Sequence, residues 1–447
     1  MTHTTTAKSL IPQLNLVGIV VFGISYMAPS VVIATFGVIA TLSQGATAMA
    51  YVFATGAMVL TALSYGKLAR AYPASGSVYT YARRTLGSHI GFLSGWTILL
   101  DYLFLPMVAW LITALYFGAQ FPVLPTWIWG VLIIATCTLI NIIGLKLADR
   151  FNRVLLLIVM GGVLTLIGFG IAFASGNGNP VGPAAWPESA TISAIAAGAA
   201  VAAYSFLGFD AVSTLSEEVK NPTTTVPRGI VLVVLTGGVI FVATSFVMQW
   251  AHPSLDFADP ETAGYEVLTL IGGPIFAGII NSTLLVGGVA SCLAVQASGS
   301  RLLFVMGRDG VFPKRVFGRL HNRFRTPVFN LVLIAAIGLA GQLLTVGDAT
   351  SLINFGAFLA FAVANACVIA LWWRHPDPGF KRRSVIGFVA LPVLGIIVDV
   401  YLLLNLGSLA ILIGLAWLGL GGGFLAVLTR GFTRPPPGLD FAGADEA

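Results

Sequence analysis

The stretch Gly23-Ile24-Ser25-Tyr26-Met27-Ala28-Pro29 interrupts the first long apolar segment of the chain. Pro29 removes a backbone hydrogen-bond donor, and Gly23 is expected to weaken the helix around it. The sixth apolar segment is interrupted by Ser205-Phe206-Leu207-Gly208-Phe209-Asp210. Unwound backbone at membrane depth is tolerated only where it is buried in protein or lines a cavity. Interruptions five segments apart therefore favour two inverted five-helix repeats, whose broken helices meet at a central site.

Twelve apolar segments approach the length of about 20 residues that a helix needs to cross a bilayer. They lie at 15–40, 46–69, 88–119, 125–145, 152–175, 191–214, 227–251, 268–300, 328–346, 349–373, 384–405 and 408–430. The sequence predicts an all-α polytopic membrane protein with one twelve-helix domain at 15–430. Its predicted parts are inverted repeats at about 15–175 and 191–373, extra helices at 384–430, and tails at 1–14 and 431–447. The alternative to the repeat is a proline kink and an unrelated packing glycine.

Basic residues are sorted along the chain. All 23 Lys and Arg residues lie in the two tails and in, or at the edges of, the even-numbered gaps between the predicted spans. Cytoplasmic loops of membrane proteins carry such an excess, so both termini are predicted to be cytoplasmic. Only 9% of the residues are charged, against about 25% in soluble domains. The net charge of +6 indicates contact with anionic membrane lipid and not with nucleic acid.

Residue types that hold metals or perform covalent chemistry form no recognisable pattern. The three cysteines, Cys137, Cys292 and Cys367, fall inside predicted spans and have neither disulfide nor metal-site spacing. The sequence also has no cluster of His, Asp and Glu at catalytic spacing. We therefore expect no metal and no cofactor, and the sequence argues against a membrane enzyme.

Three carboxylates lie inside predicted spans that contain no Lys or Arg: Asp101, Asp210 and Asp399. A charge at the bilayer centre costs at least roughly 2.5–3.5 kcal/mol, so such residues are functional candidates. Asp210, at the second interruption, can pair with an ammonium group, with a helix cap as the alternative. For Asp101, midway along the third span, the alternative is an interhelical hydrogen bond. Asp399 lies outside the first ten spans and is expected to make a neutral helix contact.

Several motifs resemble one family of membrane proteins over nearly the whole chain. They lie at 63–68 and 73–82 after the second span, at 205–218 in the sixth span, at Asn221-Pro222 and Pro227-Arg228, and at 300–310. Together they are similar to the amino acid–polyamine–organocation (APC) transporter superfamily. The resemblance implies a LeuT-like fold with broken helices 1 and 6. It also implies alternating access, in which spans 1 and 6 rock against spans 3 and 8.

A narrower resemblance, to bacterial putrescine importers, rests on 100–107, 311–318 and 352–357. It implies import of putrescine or a related polyamine across the cytoplasmic membrane. Amino acid transporters of the superfamily commonly have a Gly-Ser-Gly run in span 1 that binds the substrate carboxylate. Its absence here supports a cationic substrate without a carboxylate. The alternatives are an amino acid permease or exchanger, for cationic or neutral amino acids, and a sensor that binds without transport.

A dication with an apolar middle needs carboxylate or carbonyl oxygens at both ends and aromatic faces between them. The predicted substrate-binding residues are Ser25, Tyr26, Asp101, Tyr102, Tyr204, Ser205, Phe206 and Asp210. For each aromatic side chain, ordinary packing is the alternative. Acidic residues in the predicted outer loops, which contain no Lys or Arg, would concentrate cations at the entrance.

The coupling ion is predicted to be a proton carried by Asp101 or Asp210. Some members of the resembling superfamily have a Lys in span 5 that replaces a sodium ion, and Val159 stands at that position here. Ser298 and Ser300 in the eighth span would offer oxygens to Na⁺ as the alternative. Serines in membrane helices, however, usually bond their own backbone.

Overall fold

The computed structural model describes residues 15–73, 77–144, 149–374 and 384–437, except for the side chains at 149–153, 217 and 218. The predicted N-terminal tail at 1–14 and the end of the C-terminal tail at 438–447 lie outside the described residues. The same holds for several of the basic residues that predict the orientation in the membrane, among them Lys8, Lys146 and Lys381.

The described part of the chain is dominated by helices. The α-helices are α1 Leu16–Met27, α2 Val31–Leu42, α3 Thr47–Ala71, α4 Ser77–Thr85, α5 Ser88–Gln120, α6 Thr126–Ile143, α7 Asp149–Gly176, α8 Val181–Ala185, α9 Ile192–Ala202, α10 Pro222–Ala251, α11 Ala263–Arg308, α12 Val328–Gly341, α13 Val346–Arg374, α14 Leu391–Leu404 and α15 Ser408–Leu428. Two 3₁₀-helices follow α9, at Ala203–Phe206 and Asp210–Glu218, and a π-helical turn at Ile386–Ala390 precedes α14.

Ten of the described segments are long and apolar enough to cross a membrane. The pair α1 and α2, bent by 51° at a short break, makes an eleventh. These segments confirm a multi-pass membrane protein and coincide with eleven of the twelve predicted spans. The ninth predicted span contains only α12, which has 14 residues. Because this helix is shorter than the length test requires, the count of twelve stays a prediction.

The first predicted interruption is present, at Ala28 and Pro29. Helix α1 ends at Met27, Ala28 adopts the left-handed region with φ 47°, and its N–H bonds to Ser25 O. Gly23 itself does not interrupt α1, because it lies within the helix and is buried. A Cβ at this position would lie 2.5 Å from Val233 Cγ2 of α10. Gly23 therefore serves close packing between α1 and α10, and the break depends on Pro29.

The second predicted interruption is present at Gly208. The chain leaves α-helical geometry after Ala202, and Gly208 has φ +107°, a conformation that favours glycine. Beyond it the span continues as the 3₁₀-helix Asp210–Glu218. Regular 3₁₀ runs longer than three or four residues are uncommon. The change of helix type marks this half of the span as the less regular one, which the sequence did not predict.

Small residues set the closest crossings between the central helices. Helix α3 packs along α10, where a Cβ at Gly238 would lie 2.5 Å from Thr55 Cγ2. Helix α5 packs along α11, where a Cβ at Gly299 would lie 2.6 Å from the Tyr102 carbonyl oxygen. Helices in a bilayer gain stability mainly from such close packing and from interhelical hydrogen bonds. These two crossings hold in place the helices that carry the candidate site.

The last two helices attach to the outside of this core. Trp96 of α5 and Trp417 of α15 stack with ring centroids 4.9 Å apart. Each indole N–H donates to the carbonyl oxygen of the other residue at 2.9 Å. Trp96 therefore anchors α15 to the core.

Asp399 attaches α14 to two core helices. Its side chain is 0% exposed. Asn365 Nδ2 of α13 donates to Asp399 Oδ2 at 3.0 Å, and Thr61 Oγ1 of α3 donates to the same oxygen at 3.4 Å. This hydrogen-bonded helix contact is the one predicted for Asp399.

We predict that Asp399→Asn retains the melting temperature of the purified protein, because an amide can replace the carboxyl group in this contact. Asp399→Leu is expected to lower stability by about 1–3 kcal/mol, since it removes the carboxylate acceptor for the Asn365 amide and the Thr61 hydroxyl. Thermal unfolding in detergent would compare the two variants. Equal destabilisation by Asn and Leu would show that the negative charge itself is required.

Candidate functional site

The two helix breaks touch each other. The ring of Tyr26, from the first break, packs against Gly208, in the second. A Cβ at Gly208 would lie only 2.0 Å from Tyr26 Cδ1. Gly208 is thus required both for its backbone conformation and for the space that the Tyr26 ring occupies. The broken helices meet as the spacing of their interruptions predicts.

A cavity of about 170 Å³ adjoins this contact. Its walls come from α1, the first break, α2, α5, α7, α11 and the 3₁₀-helix that follows α9. Three of the predicted site residues line it: Ser25, Tyr26 and Tyr204. The rest of the wall is mainly apolar, so the cavity suits a ligand with hydrocarbon surface.

Sequence reasoning missed several residues that line the cavity. Three of them are polar: Ser30, Thr113 and Ser291. Ser30 immediately follows Pro29, so its position beside the first break could have identified it as a candidate. No sequence signal pointed to Thr113 and Ser291, because a single hydroxyl in an apolar helix does not show which face of the helix points inward. Val159, at the position where some members of the superfamily have Lys, also lines the cavity.

The carboxylates Asp101 and Asp210 lie near one another, although neither lines the cavity. They interact electrostatically, and Tyr26 and Tyr102 lie within the reach of both. Asp101 Oδ1 is buried without a hydrogen-bond partner among the described residues. Asp210 Oδ2 accepts a hydrogen bond from Ser77 Oγ at 3.5 Å. Two acidic groups therefore lie within electrostatic range of the Tyr26 hydroxyl, and Tyr26 also lines the cavity.

Two predicted site residues are placed in packing contacts instead. Ser205 is 1% exposed, and its hydroxyl is 3.1 Å from Tyr51 Oη. Phe206 is 0% exposed and packs edge-to-face on Phe241 with ring centroids 5.0 Å apart. Both residues stabilise the segment before the break, and neither side chain faces the cavity. Both residues lie beside the break, as the sequence predicts, but the direction of their side chains was not predictable from spacing.

Acidic residues between α10 and α13 make loop contacts. Glu261 Oε1 accepts a hydrogen bond from Val346 N at 2.7 Å, and Glu266 Oε2 accepts one from Ala258 N at 3.1 Å. Burial raises the pKa of Glu261 above its ordinary value. The bond from Val346 opposes this rise, and the nearby charges of Asp259 and Asp348 add to it. These carboxylates therefore hold neighbouring backbone segments together through hydrogen bonds.

Comparison with known proteins gives consistent matches along the chain. The sequence pattern of the family described as "Amino acid permease" matches residues 18–415. The chain is 37% identical, over 444 residues and 98% of each chain, to the low-affinity putrescine importer PlaP of Escherichia coli K12. It is 30% identical, over 440 residues and 93% of each chain, to the methylthioribose transporter of Bacillus subtilis 168. It is 28% identical over 443 residues to the branched-chain amino acid permease BcaP of the same species, covering 94% of this chain and 93% of the relative.

We predict that Gly208→Ala strongly destabilises the protein, because a side chain would meet the Tyr26 ring and the backbone would be strained by about 1–3 kcal/mol. Gly419→Ala is the control, since no atom lies within 4 Å of a Cβ at that position. Thermal unfolding in detergent would compare them. Similar melting temperatures for the two variants would contradict the contact between the breaks.

We predict that Glu261→Gln raises the melting temperature at pH 7. A raised carboxyl pKa means that the folded protein binds the proton more tightly than the unfolded chain, so the wild type loses stability as pH rises through the folded pKa. Gln keeps the acceptor for Val346 N without the charge. The difference from wild type should shrink as the pH falls toward the ordinary pKa of 4.5. The exposed Glu188, changed to Gln, is the control, and a pH-independent difference at Glu261 would contradict the assignment.

Proposed function

The chain belongs to the amino acid permease family, a family of transporters, and we propose that it imports putrescine or a close polyamine by secondary active transport. The observation that carries the proposal is the pair Asp101 and Asp210 beside the contact between the two breaks. Both lie in spans without Lys or Arg, so no basic side chain from their own spans neutralises them. The match to a putrescine importer over 98% of both chains supports the same substrate class.

A diamine fits the chemistry of this region. Each carboxylate can accept charge-assisted hydrogen bonds from an ammonium group, and the pairing offsets the cost of burying either charge. The charges of both carboxylates reach the hydroxyls of Tyr26 and Tyr102, and we propose that the rings of these tyrosines face the ligand. A cation over such a face is attracted by about 0.5–2 kcal/mol. Because Tyr26 also lines the largely apolar cavity, its ring would contact the hydrocarbon part of the ligand.

An amino acid is the second candidate substrate, and the position of Ser30 supports it. Helix α2 begins at Val31, directly after Ser30, and Ser30 lines the cavity. The free N–H groups at the start of a helix can bind a carboxylate. A cationic or neutral amino acid could place its carboxylate there and its ammonium group near Tyr26. The branched-chain amino acid permease among the relatives belongs to this class.

We further propose that residues 15–175 and 191–373 are inverted repeats, with extra helices at 384–430. Helix contacts occur in matched pairs, as such a repeat requires. Helix α1 packs on α10, and its counterpart α9 packs on α3. Helix α5 packs on α13, and α11 packs on α7. Spans five positions apart run in opposite directions, and the sorting of Lys and Arg would place both termini in the cytoplasm.

Transport would proceed by alternating access, with α1 and the broken sixth span moving against α5 and α11. In the proposed orientation, the contacts describe a state that is closed on the outer side. A Cβ at Gly37 of α2 would lie 2.3 Å from the Pro260 carbonyl oxygen in the loop before α11. Tyr116 Oη donates to the Ile33 carbonyl oxygen at 2.9 Å. Outward opening would separate α2 from these partners.

A proton is the proposed coupling ion, carried by Asp101 or Asp210. Asp101 Oδ1 has no hydrogen-bond partner among the described residues, so this group is free to exchange a proton or to bind an ammonium. The charges of Asp101 and Asp210 interact, so a proton or cation on one affects the other. Loading of the pair with substrate and proton would thus be linked.

We predict that Asp101→Asn and Asp210→Asn each weaken uptake of labelled putrescine into proteoliposomes with an imposed pH gradient. Loss of a charge-assisted hydrogen bond of about 1.5–3 kcal/mol corresponds to roughly a tenfold to hundredfold loss of affinity. Asp399→Asn, whose carboxylate lies in a helix contact away from the site, should keep wild-type uptake.

Competition with unlabelled compounds would separate the two substrate classes. Putrescine uptake that spermidine blocks and that arginine and leucine leave intact supports the polyamine importer. If the protein fails to take up putrescine but accumulates an amino acid, its function is that of an amino acid permease. Unchanged uptake by both site variants would remove Asp101 and Asp210 from the site.

A further inference from the structure

In the proposed orientation, α2 is the outer half of the first span, and it is closed against α5 and the start of α11. Tyr116 Oη of α5 donates to the Ile33 carbonyl oxygen at 2.9 Å. A Cβ at Gly264 of α11 would clash with this same oxygen, and a Cβ at Gly37 of α2 would clash with the Pro260 carbonyl oxygen. Among the described residues, no ion pair and no other hydrogen bond joins α2 to α5 or α11. Close backbone packing and the Tyr116 hydroxyl therefore hold this interface together.

Tyr116 is held to α11 through its backbone. Asn281 Nδ2 of α11 donates to the Tyr116 carbonyl oxygen at 3.0 Å and to Gln120 Oε1 of α5 at 2.8 Å. Gln120 Nε2 in turn donates to Ser282 Oγ of α11 at 3.2 Å. Hydrogen bonds of this kind are one of the main sources of cohesion between helices in a bilayer. They fix the end of α5 to α11, so the Tyr116 hydroxyl reaches α2 from a rigid support.

Helix α2 is linked to the sixth span by a separate set of hydrogen bonds. Tyr51 of α3 lies between them, since its hydroxyl oxygen is 3.1 Å from Thr35 Oγ1 of α2 and 3.1 Å from Ser205 Oγ. The Thr191 N–H, directly before α9, donates to Gln44 Oε1, just beyond the end of α2, at 3.3 Å. None of these bonds involves α5 or α11. The outer halves of the first and sixth spans are therefore tied to each other, and outward opening has to break the Tyr116 bond but none of these.

Separation of α2 from α5 would expose the cavity beside the two breaks. Val31 and Ala34 of α2 line this cavity together with Ile112 of α5, which lies one turn before Tyr116. Tyr116 itself is buried and does not line the cavity. Its hydroxyl therefore acts on the position of the cavity wall and not on the ligand.

We propose that Tyr116 is a positioning residue for transport, whose hydrogen bond to Ile33 holds the outer side of the cavity closed, with Asn281 as its support. This inference rests on the proposed alternating access and names the contact that sets the balance between the open and closed outer side. A hydrogen bond of typical net strength changes such an equilibrium about three- to tenfold. Since only an open outer side admits external substrate, the apparent affinity for that substrate rises when the open fraction rises.

The test compares Tyr116→Phe with Tyr51→Phe, because phenylalanine keeps each ring and removes only the hydroxyl. Both tyrosines are 0% exposed, and each hydroxyl bonds to α2. The reporter is Ala34→Cys, at a buried position in the cavity wall. A membrane-impermeant methanethiosulfonate, added outside right-side-out membrane vesicles, reacts with the reporter only when the outer side is open. The three native cysteines are buried, and protein without the reporter measures their background.

We expect Tyr116→Phe to raise the labelling rate about three- to tenfold and Tyr51→Phe to leave it within about twofold. Asn281→Leu, which removes the amide that holds Tyr116, should also raise the rate. The double variant of Tyr116→Phe and Asn281→Leu should label no faster than the faster single variant, because both changes act on one contact. Ser30→Cys, also in the cavity wall, is a second reporter should Ala34→Cys fail to fold. An unchanged rate in Tyr116→Phe, or an equal rise in Tyr51→Phe, would overturn the proposal.

Uptake kinetics give a second measurement that a loss of folded protein cannot imitate. Because Tyr116→Phe favours the open outer side, KM and kcat for labelled putrescine should both fall, whereas fewer active molecules would lower kcat at constant KM. An unchanged or raised KM would contradict the role of Tyr116. Faster labelling of the reporter in protein that transports an amino acid in place of putrescine would support that role and overturn only the substrate proposed above.

Discussion

The contact between the Tyr26 ring and the Gly208 backbone is the constraint on which the rest of this structure depends. Free backbone groups inside a bilayer must be covered by protein or face a cavity, and each break here helps to cover the other. Glycine at 208 allows both the close approach and the positive φ. Because the breaks meet, the side chains beside them are brought to one point from spans that are five positions apart.

The groups near this contact suit the proposed cationic ligand. Tyr26 lines a largely apolar cavity, and its hydroxyl lies within electrostatic range of two carboxylates. Asp101 comes from the helix that packs against α11, and Asp210 begins the irregular half of the sixth span. One carboxylate therefore sits on the proposed scaffold and one on the proposed moving element. A ligand with two cationic ends would bridge them, which links binding to the relative position of the two parts.

The eleven long apolar spans and both breaks could be predicted from the sequence, because apolar length, proline and glycine act locally, and the meeting of the breaks was predicted from their spacing. Side-chain direction could not be predicted in the same way. Ser205 and Phe206 adjoin the second break yet point into packing contacts with Tyr51 and Phe241. Thr113 and Ser291 line the cavity without any local signal. Which face of a helix points inward depends on its neighbours, and spacing within one span does not reveal that.

We expect a small diamine to bind beside the contact between the two breaks. A cryo-electron microscopy structure of the purified protein with putrescine would test it most directly. We expect ligand density next to the Tyr26 ring, with at least one ammonium group within hydrogen-bond distance of Asp101 or Asp210. Density elsewhere, or a bound amino acid with its carboxylate at the start of α2 and no putrescine at either aspartate, would contradict it.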